Sequence, residues 1–568
     1  MGKKEPSVHI LDTPYTEHFK SYLDKSEDRF IKDFPVLYIL YKRFRKEAYI
    51  GETTSVYKRT RQHLNNKREK DLFKRFKTMT ILGHEKFNKS ATVNLETDLI
   101  NYFLGDGYSL KNTKQTRMTI TSDYYHKHYY ETEVLSEIVR SLNKRQILEK
   151  NEDAIKNSDV YKISPFKSLS DAQLELKDKV ISFVEDHLKN PANEKEHALF
   201  IVLGEAGVGK SVVLSSLYVD IQNRAKSETS SDVLNETNNY LLVNHKEMLK
   251  TYKNLARQLP NLQQKFIKKP TEYINSMEKG KIKEADVTFI DEAHLLLTKS
   301  DAYNGFRHDN QLEEIIKHSK VTVMFFDQHQ YLKLKSYWDS KDIDRLLKKH
   351  PNHDVFHLTD QFRMKANSQV VDWINDFIEN KKIDSLPQKD DKFDFRIFSL
   401  AKQMYEIIKD KNKENKLSRM VSTFDYDFSP TKAGTKDENG NEIVYSVKTE
   451  DLELPWNTTN DKIAWAERSE TINEAGSIYS VQGADLDYVG VILGSALSFD
   501  EKKDQVVVRI EKYKDKDAFR SRNDIQNLDK AKEQIVLNSV NVLMKRGIKG
   551  LYIYAEDDKL REKLINLE

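Results

Sequence analysis

The sequence predicts an α/β protein in which a small α+β domain precedes two parallel-sheet domains. Three observations carry this expectation. Residues 31–112 read as a strand hairpin followed by helices. The apolar strand at 198–203 (ALFIVL) runs into GEAGVGKS at 204–211, a G-x-x-x-x-G-K-S loop between a strand and a helix. Two later apolar strands, 287–290 and 321–326, each end in a carboxylate, Asp291 and Asp327. At about 150 residues per domain, 568 residues allow three or four domains. The expected divisions are an N-terminal extension (1–30), the small domain (31–120), a helical connector (121–170) and the two parallel-sheet domains (171–350 and 351–568).

Composition narrows the chemistry. There are 93 Lys+Arg against 90 Asp+Glu, a net charge of only +3, which argues against a wholly basic nucleic-acid coat. With 18 Gly and 11 Pro the chain is neither collagen-like nor Pro-rich and disordered. Cysteine is absent, which excludes disulfides, thiolate zinc sites and a cysteine nucleophile. The first thirty residues hold no apolar run fit for a signal peptide, and no stretch approaches a membrane span, so a cytoplasmic protein with no membrane partner is expected. The balance hides a local excess: residues 42–77 hold thirteen Lys/Arg and four Asp/Glu, a net +9.

In the small domain, 35–44 (PVLYILYKRF) and 47–54 (EAYIGETT) are β-prone runs separated by a charged turn. Thr53, Thr54 and Ser55 offer N-caps to a helix at 55–64, on which Arg59 and His63 share one face. A second helix is expected at 94–103, with Asn94 as cap, Glu96 in its first turn and Leu95, Leu99 and Phe103 buried. Asn112 follows a Gly-containing loop.

These residues resemble the GIY-YIG nuclease family. Val36-Leu37-Tyr38 stands where the first motif tripeptide belongs, and Tyr49-Ile50-Gly51 matches the second. Arg59, His63, Glu96 and Asn112 follow at the family's order and spacing. Val36 and Leu37 replace Gly and Ile at backbone-and-packing positions. The resemblance implies that Tyr38, assisted by Tyr49 or His63, orients or deprotonates the attacking water. It implies that Arg59 holds the scissile phosphate through its planar fork, and that Glu96 binds one divalent cation, Mg²⁺, as Lewis acid.

Residues 121–170 are polar and Tyr/Lys/Glu-rich, with one helix expected at 131–147 on the spacing of Val134, Ile138 and Leu142. In the phosphate-binding loop, Gly204, Gly207 and Gly209 let backbone N–H groups approach phosphate oxygens, and the helix N-terminus favours the anion. Lys210 is then expected to reach the β/γ-phosphates and Ser211 to ligate Mg²⁺. Asp291, at a strand tip, is expected to hold that Mg²⁺, and Glu292 to activate the attacking water.

The region 164–568 resembles superfamily 1 helicases, closest to the bacterial Schlafen group 3-like DNA/RNA helicase domain, and so implies two RecA-like domains. Asp327 and Gln330 match a motif in which Gln330 contacts the γ-phosphate. In HLTDQFRM at 357–364, Arg363 is a second γ-phosphate contact. SIYSVQGADLDYVGVIL at 477–493, with Gln482 and Gly483, resembles the segment coupling ATP to nucleic acid, with Ser477, Tyr479 and Asp485 replacing its Thr, His and Glu. In NVLMKRGIKGLYIY at 541–554, Arg546 is the arginine finger and Lys545 replaces the usual Thr. Gln173 lies where an adenine-reading glutamine would. Tyr331, Trp338, Trp456 and Trp465 are expected in the core rather than on a nucleic acid.

The joint expectation is an ATP-dependent nuclease–helicase acting on DNA rather than RNA, with a role in defence against phage or other foreign DNA. Its cofactors are ATP and Mg²⁺ at one site and one divalent cation at the other. The alternatives are an ATP-driven translocase whose front domain only binds nucleic acid, and a sensor NTPase.

Overall fold

The computed structural model describes residues 8–567 except 17, 66–72, 113–122, 190–196, 206, 228–231, 303–304, 339–340, 360–363, 367, 416, 430–432, 437–441, 459–464, 482–484, 521 and 523. The chain forms two compact units. The first comprises residues 1–200, 211–291 and 318–323, and the second 201–210, 292–317 and 324–568. Among the described residues no helix is long and apolar enough to cross a membrane.

The first unit opens with a five-stranded sheet in the order His9–Pro14, Thr78–Gly83, Val36–Lys42, Glu47–Thr53, Ser109–Leu110. Its continuous apolar run explains the first hairpin strand: Val36, Leu37, Ile39 and Leu40 are buried, and so are Ala48 and Ile50 on the partner strand. Val36–Lys42 pairs antiparallel with Glu47–Thr53, setting Tyr38 opposite Gly51 and Leu40 opposite Tyr49. The strand His9–Pro14, inside the expected N-terminal extension, pairs antiparallel with Thr78–Gly83. The helix Val56–Asn65 starts as expected, the Ser55 carbonyl accepting from Arg59 N–H at 3.1 Å.

The next helix corrects the expectation of 94–103. It runs from Lys89 to Asp106, capped by Asn88, whose Oδ1 accepts from Ala91 N–H at 3.0 Å, and ends at Gly107 with φ +95°. Asn94 is therefore no cap; it is buried inside the helix and donates to Glu131 Oε1 at 3.1 Å. Glu96 lies well inside the helix rather than in its first turn, so a merely dipole-complementing role is excluded.

The helix expected at 131–147 begins with an α-turn at Lys127–Tyr129, passes through a π-turn at Tyr130–Val134 and continues as α-helix over Leu135–Lys144, with Val134, Ile138 and Leu142 buried. This region is fastened to the long helix. The Asp106 carboxylate accepts from the Lys150 and Glu149 amides at 2.7–3.3 Å, and Tyr102 donates to Glu152 at 2.8 Å.

The first unit also holds a parallel sheet in which Asn239–Val243 lies between Ile267–Lys268 and Ala285–Asp291. The second unit carries an all-parallel sheet in the order Asp394–Ile397, Gly547–Ala555, Leu486–Leu493, Ser418–Ser422, Ala475–Gly476. Near-continuous apolar runs such as Val489–Leu493 are what a sheet covered on both faces requires. The protein is therefore α/β, with a small α+β region followed by parallel-sheet domains. Tyr331, Trp338, Trp456 and Trp465 are buried, as expected.

Candidate functional site

In the first unit the hairpin and two helices bring together the aromatic and charged residues of the small domain. The Tyr38 hydroxyl lies 2.9 Å from His63 Nε2 and accepts from Arg59 Nε at 3.4 Å. Arg59 and His63 reach it from one face of Val56–Asn65, as their spacing requires. Tyr49 and His63 meet edge-on with centroids 5.5 Å apart, and Phe73 backs His63 at 3.8 Å. Gly51 has a steric reason. A Cβ there would stand 2.4 Å from the Tyr38 ring, so the ring lies across the glycine of the neighbouring strand.

Electrostatics separates the roles. Burial, then the adjacent Tyr49, pushes the Tyr38 phenol well above its usual range, so it keeps its proton. Burial likewise raises Tyr49, against the pull of Arg59. Burial, then the Glu52 carboxylate, pushes Glu96 up to about 8, while Lys89 and Arg59 pull it down. Glu52 is ion-paired with Lys89 and accepts from Thr92 Oγ1 at 3.4 Å. Asn112 is engaged with backbone groups. Its amide donates to Ile50 O at 2.8 Å and accepts from Ile50 N–H at 3.1 Å, locking the strand that carries Tyr49 and Gly51.

Glu52, Lys89 and Thr92 went unforeseen. Their signal is the spacing of Lys89, Thr92 and Glu96, which places all three on one helix face, with Glu52 following Gly51.

Gly207 and Gly209 take positive φ, +92° and +81°. A Cβ on Gly204 would meet Leu358 O and Val208 Cγ2 at 3.0 Å each. In the second unit Lys210 Nζ lies 3.0 Å from Asp327 Oδ2 and 2.8 Å from the carbonyl oxygens of Gly204 and Glu205. Gln330 donates to the same Asp327 oxygen at 2.7 Å. Burial would raise Asp327, but Lys210 and then His294 hold it at about 2. Glu292 takes a left-handed backbone, φ +50°, with its carboxylate 3.4 Å from His294 Nε2.

In the first unit the Ser211 hydroxyl lies 3.3 and 3.5 Å from the Asp291 carboxylate oxygens, and Tyr252 donates to that carboxylate at 2.8 Å. A hydroxyl and a carboxylate so placed offer the hard oxygen ligands Mg²⁺ takes. Gln173 is buried in a reciprocal cap with Ser170: its Oε1 accepts from Ser170 N–H at 3.0 Å, and Ser170 Oγ accepts from Gln173 N–H at 3.2 Å.

Arg546 is buried, its carbonyl accepting from Leu486 N–H at 3.0 Å. Its neighbour Lys545 is the unforeseen residue here, bonded to Glu205 Oε2 at 2.7 Å and Asn375 Oδ1 at 2.6 Å. Tyr479 donates to Asp515 at 2.5 Å. Arg363, Gln482 and Gly483 lie outside the described residues.

Comparison with known proteins agrees with these two constellations. The family model for the Schlafen group 3 DNA/RNA helicase domain matches residues 197–557, and that for the GIY-YIG catalytic domain matches residues 34–109. An uncharacterized protein of Saccharomyces cerevisiae is 38% identical over 421 residues, covering 70% of this chain and 90% of the relative. Among solved structures, the Pif1 helicase from Candida albicans is 12% identical, covers 70% of this chain and 97% of its own, and has a TM-score of 0.29. A structure described as the basis for katanin self-assembly is 11% identical, covers 39% and 58%, and has a TM-score of 0.18. Neither superposition carries an assignment; the sequence matches do. On them, the chain belongs to the Schlafen group 3 DNA/RNA helicase family and joins to that domain a GIY-YIG catalytic domain.

Proposed function

We propose that this chain is an ATP-dependent nuclease–helicase that binds and moves along nucleic acid, DNA in preference to RNA, and hydrolyses its phosphodiester bonds. The observation that carries the reading is the hydrogen-bonded chain from Arg59 through Tyr38 to His63. In this reading His63 takes the tautomer with Nε2 unprotonated, so that Tyr38 accepts from Arg59 and donates to His63. A water attacking phosphorus gives its proton to the Tyr38 oxygen while Tyr38 passes its own to His63. Arg59, bonded to the Tyr38 hydroxyl through Nε, holds the phosphate oxygens. Glu96, beside Glu52, is an oxygen donor set that repels itself, which suits a hard divalent cation. Such a cation, when bound, supplies Lewis-acid help to the leaving oxygen.

In the ATPase, Lys210 binds the β/γ-phosphates by exchanging its Asp327 contact for them, and Ser211 and Asp291 hold Mg²⁺. Glu292 positions the attacking water. Arg363 and Arg546 are the γ-phosphate contacts of this reading, with Gln330 beside Asp327 sensing the phosphate.

The test is the full chain with labelled single-stranded, duplex and forked DNA and RNA, with and without Mg²⁺ and ATP. Cleavage should need the divalent cation and fail in Glu96→Gln and Tyr38→Phe, while both keep ATP hydrolysis. Cutting at the unmodified rate by Glu96→Gln sinks the nuclease half. ATP-independent strand displacement sinks the motor half.

A further inference from the structure

The hairpin that carries Tyr38 and Tyr49 ends in a tip the proposed chemistry does not use. Residues 42–46 read Lys-Arg-Phe-Arg-Lys. Arg43–Arg45 form a 3-10 turn closed by Lys46 in the left-handed region, φ +44°, with Lys46 N–H donating to Arg43 O at 3.0 Å. Phe44, at the apex, is 102% exposed, against 0% for its strand neighbours Leu40 and Ala48. A lone exposed apolar side chain is ordinary; a fully extruded phenylalanine between four basic residues on a braced turn is not.

The bracing is specific. Lys46 Nζ pairs with Glu149 at 2.7 Å and donates to Asp106 O at 3.1 Å, and Arg43 donates to Gln146 Oε1. Lys42 pairs with Glu47 at 3.2 Å. The turn is therefore held to the body of its own unit while its apex is not. Arg43 spends its guanidinium on a neutral amide, so its charge stays available. Lys111 and Arg45 add to the local field. Burial would raise the Glu47 carboxyl, but Lys42, Lys111 and Arg45 hold it below its usual range.

We propose that this tip is a second nucleic-acid contact, in which Phe44 stacks on a base and Arg43 and Arg45 grip the flanking phosphates. An aromatic face takes any base, and cations beside it suit the polyanion. The register gives the spacing. Lys42 is four residues beyond Tyr38 on the same strand, about 13 Å at roughly 3.3 Å per residue. With the turn added, the stacked base lies on the order of four to six nucleotides from the phosphate at Arg59, at roughly 3.4 Å per nucleotide.

This contact rests on the nucleic-acid reading above, and one experiment separates the two. The parent is the full chain carrying Glu96→Gln, so that binding is measured without cleavage. It is titrated with a labelled single strand bearing a fluorescent base analogue, and separately with phosphatidylserine vesicles. Adding Phe44→Ala or Phe44→Leu should weaken oligonucleotide binding about five- to a hundredfold, while Phe44→Trp retains it and quenches the analogue. Arg43→Gln with Arg45→Gln should flatten the salt dependence by about one to two units of log–log slope. Thermal midpoints should be unmoved by Phe44→Ala, because Phe44 packs on nothing.

Oligonucleotide affinity unchanged in Phe44→Ala overturns the contact, and so does Phe44→Leu binding as well as the parent. Tighter, Phe44-dependent binding to vesicles than to oligonucleotide overturns it in favour of a membrane surface. Binding that depends on Phe44 in a chain that never cuts with Tyr38 and Glu96 intact leaves the contact standing and removes the nuclease reading instead.

Discussion

Lys210 and Asp327, the latter just past the strand Ser319–Phe326, form a buried ion pair in the second unit, Nζ to Oδ2 at 3.0 Å. On the proposed reading, the pair keeps a cation in place where phosphate oxygens are to arrive. Removing the lysine leaves a carboxylate buried without its main partner, a change costing about 3–5 kcal/mol. Lys210→Ala should therefore abolish ATP hydrolysis and also lower the thermal midpoint, with Lys210→Met as the bulk-retaining control. Asp327, held at about 2, contributes stability that is present above about 3.8 and lost as pH falls through about 2. Lys210→Ala should shrink that acid-side contribution. Hydrolysis at the unmodified rate in Lys210→Ala would refute the assignment.

Glu96 behaves in the opposite sense. Its carboxyl is pushed up to about 8 from an ordinary 4.5 by burial and by Glu52. Between those values the folded chain binds a proton that the unfolded chain does not, so this group's stabilisation is full below about 4.5 and lost as pH rises through about 8. With a chelator present, thermal midpoints should fall with pH across that window. In Glu96→Gln the slope should flatten. Parallel pH profiles for the two chains would remove the basis for this carboxyl's assignment. Divalent-cation affinity should climb with pH up to about 8, because the cation competes with the proton.

Gly51→Ala tests the hairpin register. The added Cβ would lie 2.4 Å from the Tyr38 ring, and the ring cannot retreat without leaving His63. The expected outcome is a loss of about 1–3 kcal/mol from overpacking together with cleavage reduced at least as far as in Tyr38→Phe, about 10²-fold or more. ATP hydrolysis should persist. Normal cleavage in Gly51→Ala would show that the Tyr38 position does not matter to the chemistry.

The sequence disclosed those parts of the fold that local rules control. The hairpin was legible because Val36–Lys42 and Glu47–Thr53 are β-prone runs about a charged turn, and the G-x-x-x-x-G-K-S loop because its glycines and Lys210 have fixed offsets. The start of the Lys89–Asp106 helix was not, because Asn88 is followed by polar residues and Asn94 offered an equally good cap nearer the apolar stripe. The strand His9–Pro14 was hidden because its pairing with Thr78–Gly83 is a long-range choice and its own run, HILDTP, ends in a proline that an edge strand tolerates. Lys89 beside Glu52 and Lys545 beside Glu205 are products of tertiary closure, across 37 and 340 residues, that no local pattern records.

Lys545 and Glu205 supply a prediction with an internal control. The lysine is 2% exposed, while the Glu205 side chain keeps 36% of its surface, so the two partners suffer unequally when separated. Glu205→Ala strands a buried ammonium with only Asn375 Oδ1 at 2.6 Å, at an expected cost of about 2–3 kcal/mol, at or below the low end for breaking a buried pair. Lys545→Met removes the charge with its stem and lets Glu205 hydrate, which should cost under about 1 kcal/mol. The double variant should recover most of what Glu205→Ala loses, because no ammonium is then left buried. Thermal midpoints of the four chains check the order. Equal losses in the two single variants would mean that the ion pair is surface-like and that Lys545 is not anchored to the phosphate-binding loop. Because Glu205 belongs to that loop, Lys545→Met should also alter the KM for ATP more than the kcat of hydrolysis, a split that a purely structural role would not produce.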